Sequence, residues 1–483
     1  MADDLSSRLR CGSQFTFGQR LSLVAKLSWP AIMAQLSSIL MEYIDASMVG
    51  SLGASASASI GLVASSTWLF WGLGGALATG FSVQVAHLVG AGNNGQARSV
   101  FRQSLIAVFA LGLVIMAIGV AISGPLPSWL GGNADINAGA SGYFCIVTAS
   151  LPFCYLTYLA SSMLRCTGNM LVPGILNVGM CVLDIIFNFF LIFDSRQWHG
   201  FSIPGLGLGV EGAALGTALA QVVVGTFLIV FIIRRSPQLN FKGQRFSLRL
   251  SKDTVKRALH ISAPLALERV CMCGAQIAST VIVAPLGTAA IAANAFGITA
   301  ESLCYMPGFG ISDAATTLVG QSIGAGRRDL AKDFGKITIG LGMAVMAVMG
   351  LILWLGAPVM MSLFTPDTLV RELGVDALRI EAWAEPLYGA SIVCYGVMVG
   401  AGYTVVPACI NLGGIWAVRI TLAALLAPIM GLNGVWLAMC IELCVRGLCF
   451  IVLFIQGHWI KRANVLPEPA IEEIDNEQQP LVL

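Results

Sequence analysis

The chain has 483 residues, 57% of them hydrophobic and only 11% charged, with a formal net charge of +2. A soluble domain carries about 25% charged residues, so the composition excludes an ordinary soluble fold, and the balanced charge leaves no footprint for nucleic acid. The thirteen cysteines sit mostly inside apolar runs and form no paired Cys-x-x-Cys framework, so they read as small apolar residues rather than metal ligands or disulfides.

Residues 1–23 have neither an apolar stretch nor a small-residue cleavage site, which predicts an uncleaved cytoplasmic segment. Twelve apolar runs follow, at about 24–48, 57–82, 101–124, 139–163, 172–193, 209–233, 258–284, 289–318, 334–358, 377–401, 405–430 and 433–456. Each is long enough to cross a bilayer as a helix. The first carries Gln35, Ser38, Glu42 and Asp45 at steps of three, four and three residues, which places them on one helix face. An ionised carboxylate at the bilayer centre costs about 2.5–3.5 kcal/mol, so this stripe is expected to line a wet cavity or a protein interior. In the fifth run Asn177, Asp184 and Asn188 share a face, and in the eighth Asn294, Glu301, Tyr305 and Ser312 do. Basic residues crowd the links after even-numbered runs, above all Arg234 to Arg257, which places both termini in the cytoplasm. The expected organisation is therefore an N-lobe over 24–233, a basic cytoplasmic linker over 234–257, a C-lobe over 258–457 and an acidic, disordered cytoplasmic tail over 458–483.

The second half repeats the first. Pro30 recurs as Pro264, Leu52-Gly53 as Leu286-Gly287, Gly90-Ala91-Gly92 as Gly324-Ala325-Gly326, Pro173 as Pro407 and Asn177 as Asn411, always 234 positions later. Six runs per half is an even number, so both halves enter the membrane in the same direction, as parallel repeats about an axis along the membrane normal. Other signals carry no chemistry. GLGLG at 205–209 lacks a soluble strand–turn–helix context, the four histidines (His87, His199, His260, His458) lack metal spacing, and no Walker motif is present. A membrane-embedded enzyme would need a nucleophile–base set that is missing here, and a cation channel would need a re-entrant filter.

In order and spacing, these motifs resemble the multidrug and toxic compound extrusion (MATE) family of cation-coupled exporters. The residues that carry the likeness are Pro30 with Asp45 in YIDASMVGSLG, LVGAGNNGQA at 88–97, MLRCTGNMLVP at 163–173 and LDIIFNFFLIF at 183–193. In the second half they are APLALE at 263–268, MPGFGISDAATTLVGQSIGAG at 306–326 and GAGYTVVPACINLGGIW at 400–416. The resemblance implies an all-α polytopic membrane protein of twelve transmembrane helices, two six-helix lobes in a V. It implies a monomer in the inner membrane that expels amphipathic, often cationic, small molecules in exchange for H⁺ or Na⁺, with no other cofactor. Asp45 matches the family's first-helix coupling aspartate, with Asp184, Asn188 and Asn177 beside it, although Asp-x-x-x-Asn here reverses the family's Asn-x-x-x-Asp. The other reading of Asp45 is a carboxylate held permanently by Ser38 or a neighbouring helix.

Glu268 matches a glutamate that one branch of the family uses in a C-lobe cation site. That branch also needs an aspartate in the tenth run, where YGASIVCYG at 388–396 has none. Glu268, with Glu301 and Asn294, is thus open between a cation site and a substrate contact, and Na⁺ at Asp45/Asp184 or at Glu268 is the only metal ion in view. Gln35, Ser38, Glu42 and Tyr305 are expected to line the cavity. The rival reading is a related exporter or flippase of a lipid-linked or dedicated metabolite, which would call for large basic patches inside the cavity.

Overall fold

The computed structural model of the chain describes residues 16–198, 201–241 and 250–461. The first fifteen residues, residues 199–200, linker residues 242–249 and the tail from 462 lie outside that description, and so do the expectations placed on them. His458–Lys461, expected in the disordered tail, instead form a short helix whose Trp459 and Ile460 are buried in the C-lobe core. The described chain folds into twelve long helical elements. The first six are α1 Phe17–Gly50, α2 Ala54–Gly90, α3 Asn94–Ser123, α4 Ala134–Cys166, α5 Leu171–Ile192 and α6 Gly209–Arg235. The second six are α7 Lys252–Val283, α8 Thr288–Gly324, α9 Arg328–Phe364, α10 in two pieces (Thr368–Glu381 and Glu385–Gly400), α11 Val405–Met430 and α12 Leu432–Gln456.

The helices outrun the expected spans. α1 has 34 residues, roughly 51 Å at about 1.5 Å per residue, against a hydrocarbon core of about 30 Å. Its overhang starts at a capping box in which Thr16 and Gln19 bond each other's backbone N–H groups. Ten of the twelve elements are long and apolar enough to cross a membrane by themselves. The exceptions are α8 and α10, and each has a physical reason. α8 is packed among α1, α2, α9 and α10, so it can carry polar residues that lipid would not accept. α10 is interrupted at Ala382–Ala384, between Glu381 and Glu385, where an unbroken run over 377–401 was expected. A second departure is the antiparallel hairpin β1 (Asp194–Trp198) and β2 (Phe201–Leu206) between α5 and α6, which alternation alone did not reveal.

Two lobes follow from the packing. Phe81, Phe101, Tyr155 and Leu159 centre a core of α2–α6, while the start of α1 packs with α8 and α9. Two clusters, around Trp436, Leu353 and Met361 and around Phe450, Val393 and Trp459, centre α7–α12. Small residues let helices touch, as expected where lipid gives no hydrophobic drive between them: a Cβ on Gly112 would lie 2.6 Å from the Pro152 Cα, and one on Gly225 would lie 2.0 Å from the Thr157 Oγ1.

The repeat is visible in the helix ends. Gly92 and its mate Gly326 close α2 and α8 at φ +80° and +74°. In both cases the glycine N–H and the next N–H return to carbonyls three and five residues back (Gly92 to Val89, Asn93 to Leu88; Gly326 to Ile323, Arg327 to Ser322), the double bond of a Schellman cap. Gly168 and Gly402, again 234 apart, do the same after α4 and α10.

All four caps lie on the face where α1 begins, called here the basic face. Toward it the lobes close on each other. Every residue of α2 from Phe81 to Gly90 is buried, and so is nearly all of α8 from Gly310 to Ile323. Gly90 meets the Gln321 carbonyl and Gly324 meets the His87 carbonyl, a reciprocal contact between repeat mates that places the pseudo-two-fold axis at this crossing. Toward the far face both helices alternate between buried and exposed residues, Trp68 being 53% exposed. The lobes therefore pack more tightly toward the basic face than toward the far face, where Tyr43 of α1 still reaches α8.

Candidate coupling site

α1, α5 and α6 build a cluster of acids in the far half of the N-lobe. Asn188 donates from Nδ2 to Asp45 Oδ1 at 2.7 Å and to Asp184 Oδ2 at 3.1 Å, so one amide bridges two carboxylates. The two carboxyls are close enough to repel each other, and Thr217 of α6 bonds back to the Ala213 carbonyl of its own helix. Gly216 makes room: a Cβ there would lie 2.0 Å from Asn188 Oδ1. Asp184 and Asn188 are fully buried, whereas Asp45 and Glu42 are half-buried. Two buried oxygens, Asp184 Oδ1 and Asn188 Oδ1, have no hydrogen-bond partner. Unsatisfied buried acceptors are costly, and carboxylate plus amide oxygens are the donors a proton or a hard cation takes. The reversed Asp-x-x-x-Asn order still delivers both groups to Asp45, because residues four apart share a helix face.

Several expected members fall elsewhere. Ser38 bonds back to the Ala34 carbonyl rather than to Asp45. Asn177 makes no hydrogen bond to the cluster among the described residues. Its repeat mate explains why: Asn411 donates to Glu268 Oε1 at 2.7 Å, and Tyr395 donates to Glu268 Oε2 at 2.6 Å. The N-lobe equivalent of Glu268 is Ala34, so Asn177 has no carboxylate to meet. Both Glu268 oxygens are thereby occupied inside the C-lobe.

The α8 stripe does not line the cavity as a unit. Asn294 accepts from Trp436 Nε1 at 3.1 Å, Tyr305 stands edge-on to Tyr388, and Ser312 bonds the Ile392 carbonyl at 3.0 Å, all toward the interior of the C-lobe. Glu301 is buried there too, within electrostatic reach of Arg419 and Arg446. It joins an assembly that sequence reasoning missed. Glu381 and Glu385, on either side of the α10 break, are fully buried, and neither carboxyl has a hydrogen-bond partner. Glu442 on α12 receives Arg419 at 2.8 and 3.1 Å, and Arg446 Nε lies 3.1 Å from its other oxygen without hydrogen-bond alignment. Arg419 comes from a π-helical turn, Gly414–Ile420, inside α11. The geometry leaves four glutamates facing two arginines.

A third constellation ties the lobes together near the basic face. Arg165 of α4 donates to Asp313 of α8 at 2.7 Å, and Gln35 of α1 donates to the same oxygen at 3.3 Å. The Arg165 guanidinium also lies over the Tyr158 ring. Gln321 of α8 donates to the Cys166 carbonyl at 2.7 Å, His87 meets the Gly400 carbonyl at 2.8 Å, and Arg20 pairs with Asp333. Gln35, expected at the cavity wall, is thus part of a closed seam. Farther along α1, Tyr43 bonds Ser302 Oγ at 2.6 Å and donates to the Thr299 carbonyl across the lobes.

Known proteins share this plan. The probable multidrug resistance protein NorM of Thermotoga maritima is 27% identical over 459 residues, which cover 93% of this chain and 95% of that protein. Its namesake in Pseudomonas syringae pv. tomato is 27% identical over 466 residues, 94% of this chain and 97% of that protein. Among solved structures, the outward-facing conformation of a multidrug resistance MATE family transporter of the MOP superfamily matches with a TM-score of 0.84 at 20% identity, covering 93% of this chain and 100% of that one. The Vibrio cholerae MATE transporter VcmN in the bent form matches at 0.81 and 20%, covering 95% and 99%; likeness at such identity speaks for the fold. The MatE family model matches twice, over residues 30–190 and 264–425, starting 234 positions apart as the repeated glycine caps do, and the chain belongs to that family.

Proposed function

We propose that the chain is a secondary-active exporter rather than an enzyme. It expels amphipathic, often cationic, small molecules from the cytoplasm or inner leaflet in exchange for H⁺ or Na⁺. The observation that carries this reading is the Asp45–Asn188–Asp184 cluster in the far half of the N-lobe, with its two buried unpartnered oxygens. The NorM relatives are named probable multidrug resistance proteins, which supports drug export.

Orientation follows from charge. Arg165, Arg234 and Arg235 close the last turns of α4 and α6, Arg98, Arg328 and Lys336 follow α2 and α8, and together they mark the basic face as cytoplasmic. The tighter packing between the lobes then lies on the cytoplasmic side. An ion arriving from outside reaches Asp45 first and Asp184 behind it. Its positive charge relieves the repulsion of two adjacent carboxylates and fills the vacant acceptor positions, which tightens α1 against α5 and α6. With the site empty of a proton or cation, that packing loosens and α1 is free to shift against α8. Such an ion drives the cycle only by binding the two arrangements unequally, and a swing from 1:99 to 99:1 takes about 5.5 kcal/mol. The C-lobe assembly offers a second place for protons or cations at Glu381 and Glu385. A lipid-linked substrate would call for free cations in the cavity, whereas Arg419 and Arg446 are taken up by Glu442.

The test is uptake of a fluorescent cationic dye into proteoliposomes under an imposed proton gradient and then a sodium gradient. Accumulation driven by one of them, saturating with dye, is the expected result. Dye movement that ignores both gradients would end the proposal.

A further inference from the structure

One recess lies apart from the gap between the lobes. It is a shallow, open depression of about 430 Å³ that sits where α9, the first half of α10 and the start of α12 meet in the far half of the C-lobe. The half-helix Thr368–Glu381 and α12 pack only against C-lobe helices among the described residues. The recess thus opens on the rim of the lobe, where lipid lies.

Its lining is unusual for a surface facing hydrocarbon. Trp354 and Trp383 form an aromatic edge, Trp383 being 75% exposed, and Asp376, Arg379 and Asn433 stand between them with Cys440 at the floor. The Arg379 guanidinium lies over the Trp354 ring, 5.3 Å from its centroid. Asp376 is three residues before Arg379 on the same helix face, yet no carboxylate among the described residues pairs with Arg379. Two polar atoms of the lining are buried and unpartnered: the Arg379 Nε, a donor, and the Asn433 Oδ1, an acceptor.

The Arg379 cation and the exposed Asp376 anion on one tryptophan-edged face are the complement of a zwitterion. Phosphodiester oxygens suit a guanidinium, an ammonium suits the Asp376 carboxylate beside the Asn433 amide, and tryptophans sit favourably at headgroup level. Asn433 is the second residue of α12, which puts the polar end of the recess near the membrane surface. We propose that this recess holds one zwitterionic phospholipid, with Arg379 taking its phosphate and Asp376 with Asn433 its ammonium, so that the C-lobe carries a lipid site separate from the transport path.

The experiment is native mass spectrometry of the full-length detergent-purified protein titrated with dioleoyl phosphatidylethanolamine. The expected result is one saturable lipid per chain. Arg379→Gln weakens it at least tenfold and Arg379→Lys less, while Asp376→Asn weakens phosphatidylethanolamine and leaves phosphatidylglycerol within about twofold. Far-ultraviolet circular dichroism matching the parent shows that the variants fold. Equal retention of dioleoylglycerol, which lacks the phosphate, would overturn the proposal. So would unchanged affinity in folded Arg379→Gln, displacement by millimolar inorganic phosphate, or displacement by a transported dye.

Discussion

Gly324 is where a single methyl group should separate the two arrangements of the lobes. A Cβ added there would lie 2.0 Å from the His87 carbonyl oxygen, and one on its repeat mate Gly90 would lie 2.1 Å from the Gln321 carbonyl oxygen. Both obstacles are backbone, so no rotamer change relieves them, and the helices must move apart. Overpacking of this kind costs about 1–3 kcal/mol. The cost falls on the arrangement with the basic face closed, because the crossing is lost when that face opens. Gly324→Ala should therefore shift the equilibrium toward the opened basic face by about 5–150-fold. The assay is pulsed electron–electron distance measurement between spin labels at the exposed Gln96 and Asp329, with the exposed Cys409 and Cys449 replaced. A longer-distance population should grow in Gly324→Ala and in Gly90→Ala. An unchanged distance distribution in folded protein would refute the argument.

The same distance measurement tests the seam. Arg165→Gln and Asp313→Asn should each enlarge the open population, and the double variant should add little beyond either, with a coupling of about 1 kcal/mol for two groups in direct contact. Inside the C-lobe, removing a charge should have opposite consequences at two glutamates. Glu442→Gln strips Arg419 and Arg446 of their shared carboxylate, and breaking a buried pair costs about 3–5 kcal/mol, so thermal unfolding in detergent should occur at clearly lower temperature. Glu381→Gln removes a buried carboxyl with no partner to lose and should leave the unfolding temperature equal or higher.

What was legible in the sequence was whatever is local or periodic. Apolar runs, basic links and the 234-residue offset gave the helices, their parallel repeats and the glycine caps, because each needs only residues near one another in the chain. The Asp184–Asn188 pair and its meeting with Asp45 were legible for the same reason: carboxylates on the inner faces of spans have few places to go. The Arg165–Asp313–Gln35 seam joins three helices far apart in sequence, and Asp313 sits off the polar stripe of its own helix. The Glu301–Glu381–Glu385–Glu442 assembly draws on α8, α10 and α12, with arginines from α11 and α12, and depends on a helix break and a π-turn that leave no periodic trace. Asn177 lies seven residues before Asp184 on the same helix, but its role depends on what stands opposite, and its repeat mate's partner Glu268 is replaced in this lobe by Ala34. The stripe from Asn294 to Ser312 was real as a face, yet periodicity does not say whether a face meets water or the helices of its own lobe.

The central claim is that ion occupancy between Asp45 and Asp184 is what drives export. Asp45→Asn keeps the shape and the oxygen that accepts from Asn188 while removing the charge that an ion would neutralise. The measurement is gradient-driven dye uptake by this variant in proteoliposomes, beside equilibrium dye binding to the same preparation. The account predicts binding within about threefold of the parent protein and no accumulation under either a proton or a sodium gradient. Accumulation at the parent rate would contradict it.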